Sequence, residues 1–299
     1  MNRKTVSKIF FTLLFIIISF LVNNNMLLAS ETKSPDDKII LSSEKTPKEV
    51  NECLKQGHNY YQKGDYNRAI NRYNKCIELY QQGSASYNSR GMAYYMLGNY
   101  KNAVNDLDMA IKLKPDNALS YAIRGNAYNS LGNFDQAIKD YTMTLEMNPH
   151  DTVSYINRGN SLINLGKYNE AIKDYTQSIK LKPNSADAYY NRGIAYEKIA
   201  NYSEAIKDFT KVIEINPKNA DAYYNRGNAY GGIGNTLNAA KDFSRAIELN
   251  PKFESAYYKR GIIKTRLGLQ DEAIKDYRSA AKLGHKESQD ILKKKGLSW

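Results

Sequence analysis

The chain has 299 residues, of which 42% are hydrophobic and 25% are charged. This balance is typical of globular proteins with a buried core, and it excludes a chain that is disordered throughout. The formal net charge is +12 at pH 7, which favours acidic partners or an anionic membrane surface. The basic residues are spread along the chain and form no single block, so they do not predict a nucleic-acid site.

An export signal is predicted at the N-terminus, in residues 1–30. Arg3, Lys4 and Lys8 precede an apolar run of 14 residues, which is the order found in secretory signal peptides. The run is shorter than the about 20 residues of a membrane-spanning helix, and a cleaved signal is therefore favoured. An uncleaved signal anchor is the alternative, because a small-x-small cleavage site is missing. In both cases we expect the rest of the chain to be exported, as a secreted or periplasmic protein or one tethered through residues 9–29.

The next segment, residues 31–46, predicts a flexible linker. It is polar, contains Pro35 and shows no sustained periodicity, as expected of a segment that cannot form a packed element. Folded structure is therefore expected to begin near residue 47.

From residue 47 onward the chain repeats itself every 34 residues. The best copy carries Tyr189, Gly193 and Tyr196 on one helical stripe, and its second half continues the same spacing. Each copy therefore predicts two helices, which approach closely where glycine and alanine remove side chains and which pack through aromatic residues between them. Proline ends each second helix, and the polar residue that follows is expected to cap the next first helix. The recurring residues are Pro115, Pro149, Pro183, Pro217 and Pro251, with Gly57, Gly91, Gly125, Gly159, Gly193, Gly227 and Gly261, and with Ala69, Ala103, Ala137, Ala171, Ala205, Ala239 and Ala273.

The order aromatic, glycine, aromatic, alanine, aromatic and proline in a 34-residue period resembles the tetratricopeptide repeat. The best copy shows it as Tyr189, Gly193, Tyr196, Ala205, Phe209 and Pro217. The resemblance implies an all-α fold, a right-handed α-solenoid of helix-turn-helix repeats in which each hairpin is stabilised by its neighbours. A short capping helix is expected after the last repeat, in residues 288–299, with its lysines facing water. The seven repeats occupy residues 47–287, at about 50–83, 84–117, 118–151, 152–185, 186–219, 220–253 and 254–287.

An arginine directly precedes the repeat glycine in six copies, and an aspartate follows 16 residues later in each. A charge at this packed position needs a partner. In the first copy Gln56 replaces the arginine and Arg72 replaces the aspartate, so the two positions change together. We expect a structural ladder of ion pairs between the two helices, with a role in binding as the alternative. The predicted pairs are Arg90 with Asp106, Arg124 with Asp140, Arg158 with Asp174, Arg192 with Asp208, Arg226 with Asp242, and Arg260 with Asp276.

Cys53 and Cys76 are the only cysteines, and both lie in the first copy. Their positions face each other across an antiparallel pair of helices. In an oxidising compartment a disulfide is chemically allowed, and it would stabilise the terminal hairpin by about 3 kcal/mol. The alternative is a pair of small buried thiols.

In the resembling family the first helices line the binding surface, so this face is where we expect a partner. Asparagine side chains both donate and accept hydrogen bonds, and a regular row of them can pair with the main chain of an extended peptide. Adjacent tyrosines add apolar contact at low entropic cost. The row resembles the one in the tetratricopeptide region of O-linked N-acetylglucosamine transferases, which holds peptides; the alternative is exposed helix residues without a partner. The predicted peptide-binding residues are Asn126, Asn157, Asn160, Asn191, Asn225, Asn228, Tyr190, Tyr224 and Tyr258.

The sequence predicts no enzyme, cofactor or metal site. His58, His150 and His285 lack metal-ligand spacing, and no glycine-rich phosphate loop precedes a helix. We therefore expect a non-catalytic scaffold that binds a protein or peptide outside the cytoplasm and takes no small-molecule substrate. The alternative is a structural component of an envelope assembly that associates with itself.

Overall fold

The computed structural model describes residues 48–299, so the predicted export signal and linker lie outside the described residues. Within this range the chain is all-α, with fifteen helices and no strand. The helices form seven hairpins and one additional C-terminal helix, as the 34-residue period predicts. The hairpins are α1 (Lys48–Gln62) with α2 (Tyr66–Leu79), α3 (Ser84–Met96) with α4 (Tyr100–Leu113), α5 (Ala118–Ser130) with α6 (Phe134–Met147), α7 (Thr152–Asn164) with α8 (Tyr168–Leu181), α9 (Ala186–Lys198) with α10 (Tyr202–Ile215), α11 (Ala220–Gly232) with α12 (Thr236–Leu249), and α13 (Glu254–Arg266) with α14 (Gln270–Lys282), followed by α15 (Lys286–Lys294).

The hairpin of α9 and α10 shows how the repeat sequence produces this local structure. The Ser185 side chain accepts a hydrogen bond from the backbone N–H of Ala188, which satisfies one free donor at the start of α9. Phe209 is fully buried between the two helices. A Cβ on Gly193 would lie 2.8 Å from the Phe209 ring, so glycine is required where this aromatic side chain packs against the α9 backbone.

The turn between α9 and α10 departs from the other hairpins. Ala200 has a φ of 57°, in the left-handed region that side chains with a Cβ rarely adopt. Gly166 takes the corresponding position in the preceding hairpin, with a φ of 74°. The fold therefore demands this backbone conformation whether or not the sequence supplies glycine.

The chain divides into two compact units at Gly132 and Asn133. In the described part of the first unit, each helix from α1 to α5 packs against the next, and α1, α3 and α5 also contact one another in order. In the second unit, α6 to α15 pack in the same sequential way, and contacts join α7, α9, α11 and α13. The first helices of successive hairpins therefore form a continuous face in each unit.

The C-terminal helix differs slightly from its prediction. It begins at Lys286, because the His285 side chain accepts a hydrogen bond from the backbone N–H of Ser288 and caps the helix there. Leu292 is fully buried and belongs to the cluster that covers the last hairpin. The lysines that follow it, at 293–295, are exposed as expected.

Candidate functional site

Five of the predicted arginine and aspartate pairs are present within the two units. Arg192 donates from Nε to Asp208 Oδ2 and from Nη2 to Asp208 Oδ1, both at 2.8 Å. The Asp208 residue is only 4% exposed, so its charge depends on this two-pronged contact. The same geometry joins Arg90 to Asp106, Arg158 to Asp174, Arg226 to Asp242, and Arg260 to Asp276.

The sixth arginine has a different contact within the first unit. Arg124 donates from Nη1 to Asp108 Oδ1 at 2.6 Å. Asp140 belongs to the second unit, and its pairing with Arg124 stays a prediction.

Each arginine also reaches back to the preceding hairpin, a contact that the sequence analysis missed. Arg192 Nη1 donates to Thr176 Oγ1 of α8 at 2.9 Å. The guanidinium therefore joins two successive hairpins as well as the two helices of its own hairpin, and it fixes how neighbours stack. A polar residue 16 positions before the arginine was the available signal. The equivalent acceptors are Asn74, Thr142, Thr210 and Ser244.

Tyrosine rings surround the same guanidinium groups. The Arg192 guanidinium carbon lies 5.6 Å from the centre of the Tyr189 ring and 5.8 Å from that of Tyr196, within the range of a cation–π contact. Tyrosine suits this place because its ring contacts the cation while its hydroxyl stays near water. This repeated contact accounts for part of the high content of 25 tyrosines. Equivalent contacts involve Tyr87, Tyr94, Tyr121, Tyr128, Tyr155, Tyr223, Tyr230 and Tyr257.

The two cysteines lie opposite each other in the first hairpin, Cys53 on α1 and Cys76 on α2. Their Cα atoms are 5.7 Å apart and their sulfur atoms lie at bonding distance, which is the geometry that a disulfide requires. The bond would join the two helices of the hairpin at the N-terminal end of the described chain.

We define the first-helix face as the surface that α7, α9, α11 and α13 form in the second unit. Its predicted tyrosines each pack on an aromatic residue of the second helix: Tyr190 lies 5.9 Å from Phe209 between ring centres, and Tyr224 lies 5.7 Å from Phe243. Tyr258 instead stacks mainly on His285, with ring centres 4.3 Å apart. These tyrosines are half-buried, so each has a packing role and a part that remains accessible.

The asparagine row is more involved in internal contacts than the sequence indicates. Asn225 donates to the Tyr190 hydroxyl at 2.9 Å and so joins α11 to α9. Asn160 accepts from the Tyr175 hydroxyl at 2.8 Å, and Asn157 is buried, with 9% exposure. The amides at these positions therefore help to position neighbouring helices, and a peptide would meet only what remains exposed of them.

The other asparagines of the predicted set lie nearby or in the first unit. Asn191 is half-buried on α9, next to Tyr190, and Asn228 forms a side-chain hydrogen bond with Tyr224. Asn126 lies on α5 and belongs to the first unit. It is therefore described apart from the first-helix face.

Two carboxylates on the first-helix face were not singled out by the sequence analysis. Glu197 on α9 and Asp221 on α11 are half-buried, and burial raises the pKa of both carboxyl groups. Burial also raises the pKa of Tyr190 to about 12, and the charges of Asp221 and Glu197 contribute to this shift. Both carboxylates therefore lie near the Tyr190 hydroxyl.

Other kinds of site were looked for in residues 48–299. No group of three or more histidine, cysteine, aspartate or glutamate side chains in this range is arranged to hold a metal ion. No helix in the same range is long and apolar enough to cross a membrane.

Comparisons with known proteins match this repeat geometry. Models described as "TPR repeat" and "Tetratricopeptide repeat" cover most of the chain from residue 57 to residue 283. No curated protein matches the chain. The matched ranges are 57–98 and 159–199 for the first description, and 84–117, 118–151, 186–219, 220–253 and 254–283 for the second.

Solved structures show the same architecture. The crystal structure of MamA is 30% identical, with a TM-score of 0.53, and the match covers 55% of this chain and 96% of that chain. YrrB, described as a TPR protein with an unusual peptide-binding site, is 23% identical, with a TM-score of 0.56 and coverage of 62% and 95%. The C-terminal part of a TPR repeat-containing protein from Cytophaga hutchinsonii is 20% identical, with a TM-score of 0.69 and coverage of 79% and 98%.

Proposed function

Because this chain belongs to the tetratricopeptide repeat family, we propose that it is a non-catalytic scaffold that binds a protein segment on its first-helix face, outside the cytoplasm. The observation that carries this proposal is the continuous face of α7, α9, α11 and α13. Half-buried tyrosine, asparagine and carboxylate side chains lie together on it. Such partly desolvated polar and aromatic groups are typical of surfaces that bind extended peptides.

The comparison with YrrB supports the choice of ligand. That protein is described as having an unusual peptide-binding site, and it shares the fold of this chain. The ladder arginines and their aspartates are engaged with each other, with neighbouring hydroxyl or amide groups and with tyrosine rings. They therefore serve the stacking of hairpins in this proposal, and the partner contacts the first-helix face instead.

The proposed location rests on the sequence of residues 1–30 and on the cysteine geometry. Export would place Cys53 and Cys76 in an oxidising compartment, where a disulfide at the observed position persists. We expect no free thiol in the purified, denatured and unreduced protein. Two titratable thiols per chain would contradict both the bond and this argument for export.

The competing proposal is a self-associating component of an envelope assembly. At the C-terminal end α15 packs on the last hairpin through buried Leu292, and the three lysines at 293–295 face outward. A second copy stacking on this end would meet a charged surface, since terminal repeats with a polar outer side oppose further stacking. Light scattering at several concentrations should give a constant monomer mass, whereas a mass that rises with concentration would favour self-association.

Site-specific photo-crosslinking tests where the partner binds. A photo-reactive amino acid replaces exposed Lys198 on the first-helix face, and in a matched control it replaces Leu237 on α12, which is 67% exposed. Both positions tolerate a new side chain because neither is part of the core. We expect one polypeptide to be crosslinked from Lys198 and not from Leu237. Equal crosslinking from both positions, or none from Lys198, would contradict the proposed site.

A further inference from the structure

The first-helix face differs in charge from the protein as a whole. The chain carries a net charge of +12, yet the carboxylates of Glu197, Asp221 and Glu254 gather around Tyr190 and Tyr224, whose pKa values they help to raise in addition to burial. An overall charge predicts only long-range attraction, whereas the groups within contact distance decide which partner fits. The local chemistry therefore outweighs the expectation of an acidic partner.

Pairing distinguishes these carboxylates from other acidic side chains of the second unit. The buried ladder aspartates are held by arginine, and exposed Glu204 lies 2.6 Å from Lys207. By contrast, neither Glu197 nor Asp221 has a hydrogen bond or an ion pair within the described residues. A half-buried charge that lacks a partner is unfavourable in the free protein. A cation supplied by a ligand would remove that penalty.

The surroundings also fit a cation. The rings of Tyr190 and Tyr224 are half-buried beside the carboxylates, and tyrosine faces attract ammonium and guanidinium groups. The same chain already uses this contact in its ladder, where Tyr189 and Tyr196 flank Arg192. An acidic segment would instead bring carboxylates against carboxylates that are already partly desolvated, which is repulsive.

We propose that the first-helix face binds, at α9 and α11, a protein segment rich in lysine or arginine, with a basic side chain placed between Glu197 and Asp221. This inference rests on the proposed function and specifies the partner's chemistry. The adjacent amide of Asn225, already fixed by its contact with Tyr190, positions one edge of the site. Lys259 on α13 lies close enough to lower the pKa of Glu197, although burial outweighs its effect, and it limits the positive charge that the site accepts.

Peptide pools of defined charge test this inference on the full-length protein. Three fluorescein-labelled pools of twelve-residue peptides carry lysine or arginine, glutamine, or aspartate or glutamate at alternate positions, with random residues between them. Fluorescence anisotropy measures their affinity at two salt concentrations. We expect the basic pool to bind at least about tenfold more tightly than the glutamine pool, and the acidic pool to bind least.

Matched variants locate the effect. Glu197→Gln with Asp221→Asn should weaken binding of the basic pool about tenfold. The control pair Asp135→Asn with Glu170→Gln makes the same charge change on exposed positions of α6 and α8, and it should leave affinity nearly unchanged. Lys259→Gln should tighten binding about threefold, because it removes a competing cation. Thermal melting of each variant shows that the fold is intact.

The outcomes separate this inference from the proposed function. Equal affinity of the basic and glutamine pools, or equal loss in the two double variants, overturns the preference for basic segments. In that case crosslinking from Lys198 would still support the face as a binding site. Failure of all three pools to bind overturns the inference, and it overturns peptide binding by this face as well if Lys198 also gives no crosslink.

Discussion

The ion pair between Arg192 and Asp208 gives the sharpest test of how the hairpins are held together. Replacing Arg192 with Met leaves the Asp208 carboxylate 4% exposed and without its guanidinium partner. Removing one member of such a buried pair costs about 3 kcal/mol of unfolding free energy. Replacing Asp208 with Leu should cost about 2 kcal/mol, because the arginine keeps its contact with Thr176 and remains partly in water.

The double variant should be more stable than Arg192→Met alone. Both charges are then absent, and apolar side chains of similar volume fill the space. We expect a loss of about 2 kcal/mol, since the Thr176 hydrogen bond and the tyrosine contacts are also lost. The resulting coupling energy between the two positions is about 3 kcal/mol.

Urea unfolding followed by circular dichroism at 222 nm measures these free energies, provided that the slopes of the transitions agree. The exposed pair Lys207 and Glu204 on α10, with side chains 70% and 41% exposed, is the matched control. Its coupling should be below about 0.5 kcal/mol. If Arg192→Met and the double variant lose equal stability, the pair is not a unit and the reasoning is refuted.

Other predictions concern backbone geometry, packing and charge on the first-helix face. Ala200→Gly should raise the unfolding free energy by up to about 1 kcal/mol because it relieves a left-handed alanine, and Gly166→Ala should lower it by a similar amount; opposite signs in urea titrations would contradict the turn geometry. Gly193→Ala should cost at least about 1 kcal/mol, since the new Cβ would lie 2.8 Å from Phe209, and an unchanged midpoint would contradict that close approach. Glu197→Gln should raise the melting temperature at pH 7 but not below pH 4: burial raises the pKa of Glu197 above its ordinary value of 4.5, so the carboxyl's stabilising contribution is present below that value and lost as pH rises through the raised pKa. A lower melting temperature for this variant at pH 7 would show that Glu197 has a stabilising partner.

The repeated features of the fold were accessible from sequence because they recur. Asp208 follows Arg192 by 16 residues, and the same spacing in five other copies identifies two positions that face each other. The contact between Arg192 and Thr176 was missed because it joins successive hairpins, and the stacking distance between hairpins is not encoded in any single copy. Periodicity therefore predicts what lies within a hairpin better than what lies between hairpins.

The site itself was only partly predictable. The tyrosines and asparagines of the first-helix face were identified by their spacing, but burial of Asn157 depends on how neighbouring helices cover it. Glu197 was missed because its position does not recur: Ile163 and Gly231 occupy it in the adjacent copies. A binding preference built from single residues gives no periodic signal, and only the packing of α9 against α11 reveals it.

Hydrogen exchange measured by mass spectrometry, with and without the basic peptide pool, tests the central claim most directly. The account predicts slower exchange in α9 and α11 on binding, with little change in the second helices α8, α10 and α12. Protection confined to the second helices, or the same protection in the Glu197→Gln and Asp221→Asn double variant, would contradict binding on the first-helix face.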